Sequence, residues 1–463
     1  MKNLFVTEKQ FYKNVFRLVL PLIAMNALHL LMNFCDIFML GRLGDMSETV
    51  ISAAQLANRP FFLFSMLIFG SMSGAIVLCS QYWGKKDLDT INSVAGTTLA
   101  FLLPVCIIFM TVCMIFAPQL MSLMSNDESV IQAAVSYLRI ILFSFIFSLI
   151  TSLFSGILRS VQKVKMPFAA SLTGNILNIF LNAVLIHGLF GFPALGIKGA
   201  AAGTVISRVA ESSIILIYII FFESTVRFTL KKMFRIHIYI IKDFFRYSLP
   251  VIANEFAWGF GVTVHSAMIG NMSKDQHAAY TISNMIEQIA MMAMIGFSTA
   301  CCVIIGEAIG EGKDDDTVAK YARSFIGLAA CFAVISGGTA FICRNLIINI
   351  FEISDVTKAY ASQLVTVVTC FILLKTFNCV SIVGIFRGGG DTKTGMIIDC
   401  VFMYAVSIPM GLTAIHVFKF HAPLVYAFQI SDELAKLPFV FWWVKSRRWI
   451  KNITRSKDEL EFK

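Results

Sequence analysis

Polar side chains stand inside long apolar stretches of this sequence, and in the first half their types suit cation binding. They are Asp36, Asn175, Asn178, Asn182 and Thr204. A carboxylate, amide oxygens and a hydroxyl can coordinate sodium or relay a proton through bound water. An ionisable group is costly in apolar surroundings, so each is a candidate for function. We predict a cation-coupling site here, with Asp36, Asn178 and Asn182 as candidate Na⁺ ligands.

A second polar set lies in the other half of the chain. Its members are Glu255, His265, Glu287, Lys375 and Asn378. Glu287 lies near the middle of its apolar run, where a carboxylate could contact a cationic substrate. Histidine titrates near neutrality, so His265 could sense protons. The alternative for both sets is a polar network that only holds helices together.

The elements that must position these groups are membrane-spanning helices. Of 463 residues, 57% are hydrophobic and 14% are charged, and the mean hydropathy is +0.76. A soluble fold would expose large apolar patches, whereas a bilayer accepts an apolar exterior. These values exclude an ordinary soluble enzyme and a disordered chain. The apolar runs predict twelve helices, at about 15–40, 53–83, 92–117, 129–158, 167–188, 198–222, 247–270, 278–306, 321–343, 357–386, 395–416 and 422–445.

The basic residues predict the orientation. With a cytoplasmic N-terminus, 27 Lys and Arg residues fall in cytoplasmic segments and 6 in outer segments. The protein is therefore expected in a cell membrane (plasma or inner), with both termini on the cytoplasmic side. The net charge of +10 faces anionic lipid, so membrane lipid rather than nucleic acid is the expected partner.

The two halves of the chain resemble each other. Pro21 and Pro250 are 229 residues apart, and the GILR ending at Arg159 matches the GIFR ending at Arg387 at an offset of 228. Six helices per half give parallel repeats. We predict an all-α membrane protein with two six-helix lobes, a transporter architecture with a substrate cleft between the lobes. The predicted divisions are an N-lobe (1–222), a basic linker (223–246), a C-lobe (247–445) and a basic tail (446–463).

Helix sequences carry a family resemblance. The segment PLIAMNALHLLMNFCDIFMLGRLG, with Pro21, Asp36 and Gly41, resembles the first helix of the MATE (multidrug and toxic compound extrusion) transporters. GNILNIFLNAVLIHG is similar to the family's fifth helix, and GIFRGGGDTK to its helix-10 exit. NEFAW and RRWIKNIT resemble a bacterial branch. The resemblance covers nearly the whole chain and implies an antiporter that exports organic cations in exchange for Na⁺ or H⁺.

The sequence departs from this family at two positions. Relatives often carry an aspartate where Asn182 stands, and an amide cannot titrate, so Asp36 would bear the coupling alone. Several relatives also have an acidic pair on helices 7 and 10, but the helix-10 position is Thr376. We expect Lys375 to pair with Glu255 instead, with Asn378 lining the same pocket.

The predicted function is secondary antiport by alternating access, with a cationic amphiphilic small molecule as substrate and H⁺ or Na⁺ as coupling ion. No cofactor is expected, and a monomer is expected. The near alternative is a flippase for lipid or lipid-linked oligosaccharide, which would need a cleft rich in cationic residues. A membrane-embedded enzyme would need a catalytic cluster, and the seven histidines are scattered. A receptor or scaffold would not need polar groups in mid-membrane.

Two ion pairs are predicted from helical spacing alone. Arg208 and Glu211 are three residues apart on one helix, and Asp432 and Glu433 are spaced to pair with Lys436. The three residues Asp432, Glu433 and Lys436 are expected to be structural.

Overall fold

The computed structural model describes residues 4–43, 47–234, 237–351 and 353–455, and within these ranges it contains helices and turns but no strand. Parts of all four predicted divisions lie outside the described residues. They are residues 1–3 and 44–46 of the N-lobe, 235–236 of the linker, 352 of the C-lobe and 456–463 of the tail.

The first half of the chain forms long helices broken by short ones. In chain order they are α1 (Lys9–Leu40), α2 (Ser47–Gly84), α3 (Leu88–Ile115), α4 (Ala117–Ser122), α5 (Glu128–Ile141), α6 (Ser144–Ser160), α7 (Lys165–His187), α8 (Ile197–Ile217) and α9 (Leu230–Met233). A π-helical turn, Tyr218–Phe222, continues α8. Asp127 caps α5 by accepting the N–H of Ser129, and Gly188 ends α7 in a left-handed conformation (φ 73°).

The second half repeats this pattern. Its helices are α10 (Ile238–Gly270), α11 (Lys274–Gly310), α12 (Asp315–Ile348), α13 (Asp355–Cys379), α14 (Thr392–Phe402), α15 (Ile408–His416), α16 (Ala422–Gln429), α17 (Asp432–Ala435) and α18 (Leu437–Ser446). Val380–Phe386 forms a π-helical continuation of α13, and Met403–Ser407 forms a π-helical turn that joins α14 to α15.

Nine helices in the described ranges are long and apolar enough to cross a membrane, or ten if α5 and α6, bent by 48°, form one span. The other two of the twelve predicted spans do not meet this criterion of length and apolar composition, for physical reasons. Asn254, Glu255 and His265 interrupt the apolar stretch of α10. The predicted span at 422–445 is broken into α16, α17 and α18 around the charged residues 432–436.

The chain forms two compact units. The N unit comprises Ala24–Cys79 and Asp87–Phe245, and the C unit comprises Met1–Ile23, Ser80–Lys86 and Arg246–Phe462. The predicted lobe boundaries follow sequence order and remain a prediction. Inside the C unit, α11, α13 and α16 enclose an apolar core that includes Ile286, Leu364 and Val425.

Candidate functional site

A chain of hydrogen bonds links three helices of the N unit. Asn182 on α7 donates its Nδ2–H to Asp36 Oδ1 of α1 at 2.6 Å and to Asn178 Oδ1 at 3.2 Å. Asn178 donates in turn to Thr204 Oγ1 of α8 at 3.2 Å. The structure therefore brings together four of the five residues predicted for this half.

Close packing of α7 against α8 holds this chain in place. Asn178 and Asn182 lie one turn apart and are fully buried, so they face the neighbouring helices together. Gly203 leaves room for the Asn182 side chain, because a Cβ at this position would collide with Asn182 Oδ1. The absence of a side chain at Gly203 thus helps to position the amide against Asp36.

Two acceptor groups at this chain have unused hydrogen-bonding capacity. Asn182 Oδ1 is buried and has no hydrogen-bond partner among the described residues. The Asp36 carboxylate is partly exposed, and its Oδ1 accepts from Asn182. Since the amide N–H points at the carboxylate, the amide oxygen is the acceptor of Asn182 that remains unused, and it faces Gly203 of α8.

Asn175 does not join this chain. It lies seven residues before Asn182 and turns its amide back to its own helix, donating to Ser171 O at 2.8 Å. The prediction that Asn175 belongs to the cation site is therefore wrong. Arg208 and Glu211 on α8 form the predicted ion pair at 2.6 Å, which is confirmed.

In the C unit, Lys375 of α13 pairs with Glu287 of α11, and Tyr426 of α16 donates its hydroxyl to the same carboxylate. Both charged side chains are nearly buried, at 12% and 10% exposure. The predicted Glu255–Lys375 pair is thus wrong. The sequence singled out Glu287 as a carboxylate near mid-membrane that could contact a substrate, but it did not predict the pairing of Glu287 with Lys375.

Glu255 of α10 pairs with Arg387 at 2.9 Å instead. Arg387 follows Lys375 by twelve residues, and the π-helical segment between them changes the helical rotation. Lys375 and Arg387 contact different helices, α11 and α10 respectively. Thr376, at the position of the missing acidic residue, is buried.

Asn378 lies away from the predicted Glu255 pocket. It donates to the backbone oxygen and to Oε2 of Glu433, both at 2.8 Å. Its own Oδ1 is buried without a partner among the described residues.

Lys436 is the centre of a carboxylate cluster in the C unit. It contacts Glu433 at 3.2 Å and Asp432 at 3.4 Å, as predicted, and also Asp399 of α14 at 3.3 Å. Three carboxylates thus share one ammonium. Asp399 was not assigned from the sequence, because its partner lies on a different helix and spacing along one helix cannot reveal it.

His265, at the repeat position of Asp36, is also held by neighbours in the C unit. One ring nitrogen (Nε2) lies 2.8 Å from Ser407 Oγ, and Gln429 donates to the His265 carbonyl at 3.2 Å. The two repeats therefore place different chemistry at matching positions: a carboxylate–amide pair in the N unit and a histidine–hydroxyl pair in the C unit.

Known proteins match this chain along almost its whole length. The MatE family model matches twice, at residues 21–184 and 250–413, which shows the internal parallel repeat. The probable multidrug resistance protein YoeA of Bacillus subtilis is 24% identical, covering 97% of this chain and 98% of that protein. The probable multidrug resistance protein NorM of Thermotoga maritima is 25% identical, covering 97% and 95%.

The fold matches solved structures as well. A crystal structure of a MATE protein in complex with MaL6 superposes with a TM-score of 0.86 at 20% identity, covering 94% of this chain and 96% of that one. The all-α, repeated fold predicted from the sequence is confirmed. The chain belongs to the MatE family, and it is a multi-pass membrane transporter rather than an enzyme.

Proposed function

We propose that the protein is a secondary antiporter that exports organic cations by alternating access in exchange for H⁺ or Na⁺. The single observation that carries this proposal is the Asp36–Asn182 contact, beside a buried amide oxygen that has no hydrogen-bond partner in the described part of the chain. The names of the two relatives, probable multidrug resistance proteins, support drug-like substrates. The protein acts as a monomer in the plasma membrane, with both termini in the cytoplasm.

Asp36 is the coupling group in this proposal. In the ionised state its carboxylate attracts a cation, and Asn182 Oδ1 supplies a second oxygen. A proton or Na⁺ at Asp36 removes this attraction, so binding of the coupling ion and binding of the cationic substrate disfavour each other. By linkage, the substrate then weakens binding of the ion by the same factor.

Dye efflux from proteoliposomes tests the proposal. Proton and sodium gradients are imposed separately on wild type, Asp36→Asn and the control Asp127→Asn, which replaces an exposed helix-cap carboxylate. We expect one gradient to drive ethidium transport in wild type and in the control. Asp36→Asn should reduce this transport by at least about tenfold. Gradient-driven efflux that is unchanged in Asp36→Asn would exclude Asp36 as the coupling group.

A further inference from the structure

Residues 449–455 form a strap that binds the last turn of α2 through one buried glutamine. Gln81 is fully buried, and both ends of its amide are used. Its Nε2 group donates to the carbonyl oxygens of Gly388 at 3.2 Å and of Lys451 at 3.1 Å, and its Oε1 accepts the Ile453 N–H at 2.9 Å. A glutamine amide offers two N–H donors and an acceptor, so the strap is held by directional bonds that depend on this side chain.

Further contacts attach the strap at both of its sides. Toward α2, the Arg455 N–H donates to the Tyr82 hydroxyl at 3.2 Å, and Lys85 Nζ donates to the Arg455 carbonyl. Toward the turn that follows the π-helical end of α13, Lys451 Nζ donates to Asp391 Oδ1 at 2.8 Å. The strap therefore connects the end of α2 to this turn, and all of these contacts lie within the C unit.

The helix end that the strap holds is also the place where α2 crosses α11. A Cβ on Gly84 would lie 2.1 Å from the Glu307 carbonyl oxygen, and a Cβ on Gly310 would lie 1.9 Å from the Gln81 carbonyl oxygen. Gly84 and Gly310 are 226 residues apart, as are Gln81 and Glu307, so the contact is formed by matching positions of the two repeats. The two backbones touch directly at this crossing, which exists only while the two helix ends are close together.

The first repeat has a matching strap, and the comparison shows what is particular to the second. Lys163 pairs with Glu223 at 2.8 Å, and each lies 228 residues before one member of the Asp391–Lys451 pair, so the same two positions pair with reversed charge. Asn92 of α3 then donates to the backbone of the first strap at 3.2 Å. That contact stays within one repeat, whereas the strap at 449–455 reaches α2, a helix of the other repeat.

We propose that the strap at 449–455 is a latch, which holds the end of α2 against α11 and must release Gln81 before these two helix ends can separate. α2 begins in the N unit and ends in the C unit, so movement of one repeat past the other has to displace its end. This inference rests on the proposed alternating access for its effect on transport, but release of the strap can be measured without transport.

Amide hydrogen exchange, read by mass spectrometry on the purified full-length protein, tests the latch. Exchange in residues 449–455 reports attachment of the strap, and exchange in residues 306–312, at the end of α11, reports the crossing. Gln81→Met removes the amide but keeps a side chain of similar length. Lys451→Ala weakens the strap at its other side, away from α2. The control is Gln132→Met, which replaces an exposed glutamine of α5.

We expect both segments to exchange slowly in wild type and in the control. Gln81→Met should speed exchange of the strap by at least about tenfold, because three hydrogen bonds that hold it are lost. It should also speed exchange at the end of α11. The Gln81 side chain bonds to the strap and to Gly388, so faster exchange in α11 requires the helix ends to separate. Lys451→Ala should change both segments in the same direction by a smaller factor.

A strap that exchanges faster while the end of α11 stays as slow as in wild type would overturn the proposal, since the strap would then be a local attachment only. If Gln81→Met does not fold, Lys451→Ala decides the question by the same two segments, because its side chain is half exposed. Ethidium efflux separates this proposal from antiport. Coupled release of both segments without gradient-driven efflux would reject antiport and keep the latch, and efflux with an unchanged end of α11 would do the reverse.

Discussion

At the scale of single residues, charges inside the C unit are matched by partners on other helices. Lys375 meets Glu287, and Arg387 meets Glu255. Pairing reduces the cost of burying each charge, although a buried pair need not be more stable than an apolar one of the same shape. Removing one partner is therefore expected to harm the protein more than removing both.

Lys375→Met should lower the stability of the protein by about 3–5 kcal/mol, because it leaves the Glu287 carboxylate buried without a counter-charge. The double variant Lys375→Met/Glu287→Gln should recover most of this loss. The thermal unfolding midpoint in detergent measures both, with the exposed Lys274→Met as control. A double variant as unstable as Lys375→Met alone would show that the charge pair is not the cause.

Glu223, which follows the π-helical end of α8, makes stability depend on pH. Burial raises the pKa of its carboxyl, but the Lys163 ammonium and the N–H groups of Thr225 and Val226 outweigh burial and lower this pKa below 4.5. A lowered folded-state pKa contributes stability above the unfolded value, and this contribution is lost as the pH falls through the folded pKa.

Glu223→Gln should therefore cost about 1–3 kcal/mol at pH 7, through weakened bonds to Lys163 and the two backbone N–H groups. The difference in unfolding midpoint between this variant and wild type should shrink as the pH falls below 4.5. A difference that stays constant from pH 7 to acid would mean that ionisation of Glu223 does not stabilise the fold.

At the scale of elements, helix rotation and the distance between helices decide which polar groups meet. The π-helical segment after α13 turns Arg387 toward α10. Glycine on α8 lets that helix approach α7 where Asn182 contacts Asp36. Both features affect which partner a side chain contacts, although neither changes the apolar pattern of its helix.

Gly203→Ala should displace the Asn182 amide and reduce gradient-driven dye efflux by about tenfold or more, because the added Cβ collides with Asn182 Oδ1. Gly338→Ala on α12 is the matched control, since a Cβ there meets open space. Its transport should equal that of wild type. Unchanged efflux in Gly203→Ala would argue against a role for the Asn182–Asp36 contact in coupling.

At the scale of the whole molecule, residues 449–453, close to the last described residue, are built into the C unit. Trp449 is fully buried, and the Lys451 N–H donates to the Gly389 carbonyl at 2.9 Å. Gln81, from the end of α2, accepts the Ile453 N–H at 2.9 Å and donates to the Gly388 carbonyl at 3.2 Å. The turn after α13, the end of α2 and the last described residues thus form one hydrogen-bonded assembly within this unit.

Trp449→Ala should destabilise the protein by about 3–5 kcal/mol, because it empties a large enclosed volume beneath the Gly389 backbone. Trp442→Ala, which removes an exposed tryptophan from α18, should have little effect in detergent. The thermal unfolding midpoints of the two variants are compared with that of wild type. Equal midpoints for Trp449→Ala and Trp442→Ala would show that the end of the chain does not contribute to stability of the C unit.

The composition and apolar runs predicted the fold class and most helix positions to within several residues, and matched residues such as Pro21 and Pro250 predicted the internal repeat. This was possible because the bilayer imposes a length and a composition on each spanning helix. Spacing along one helix also sufficed for the Arg208–Glu211 and Asp432/Glu433–Lys436 pairs. Such local contacts depend only on helical geometry, which the sequence carries directly.

Contacts between helices were decided by the tertiary structure. Lys375 pairs with Glu287 rather than Glu255, and Asn175 hydrogen-bonds within its own helix. The reason is that rotation about each helix axis sets the direction of a side chain. That rotation depends on π-helical segments, glycine contacts and packing across the whole unit. The sequence by itself determined which helices carry polar groups and which pair within one helix, and tertiary packing decided which groups on different helices meet.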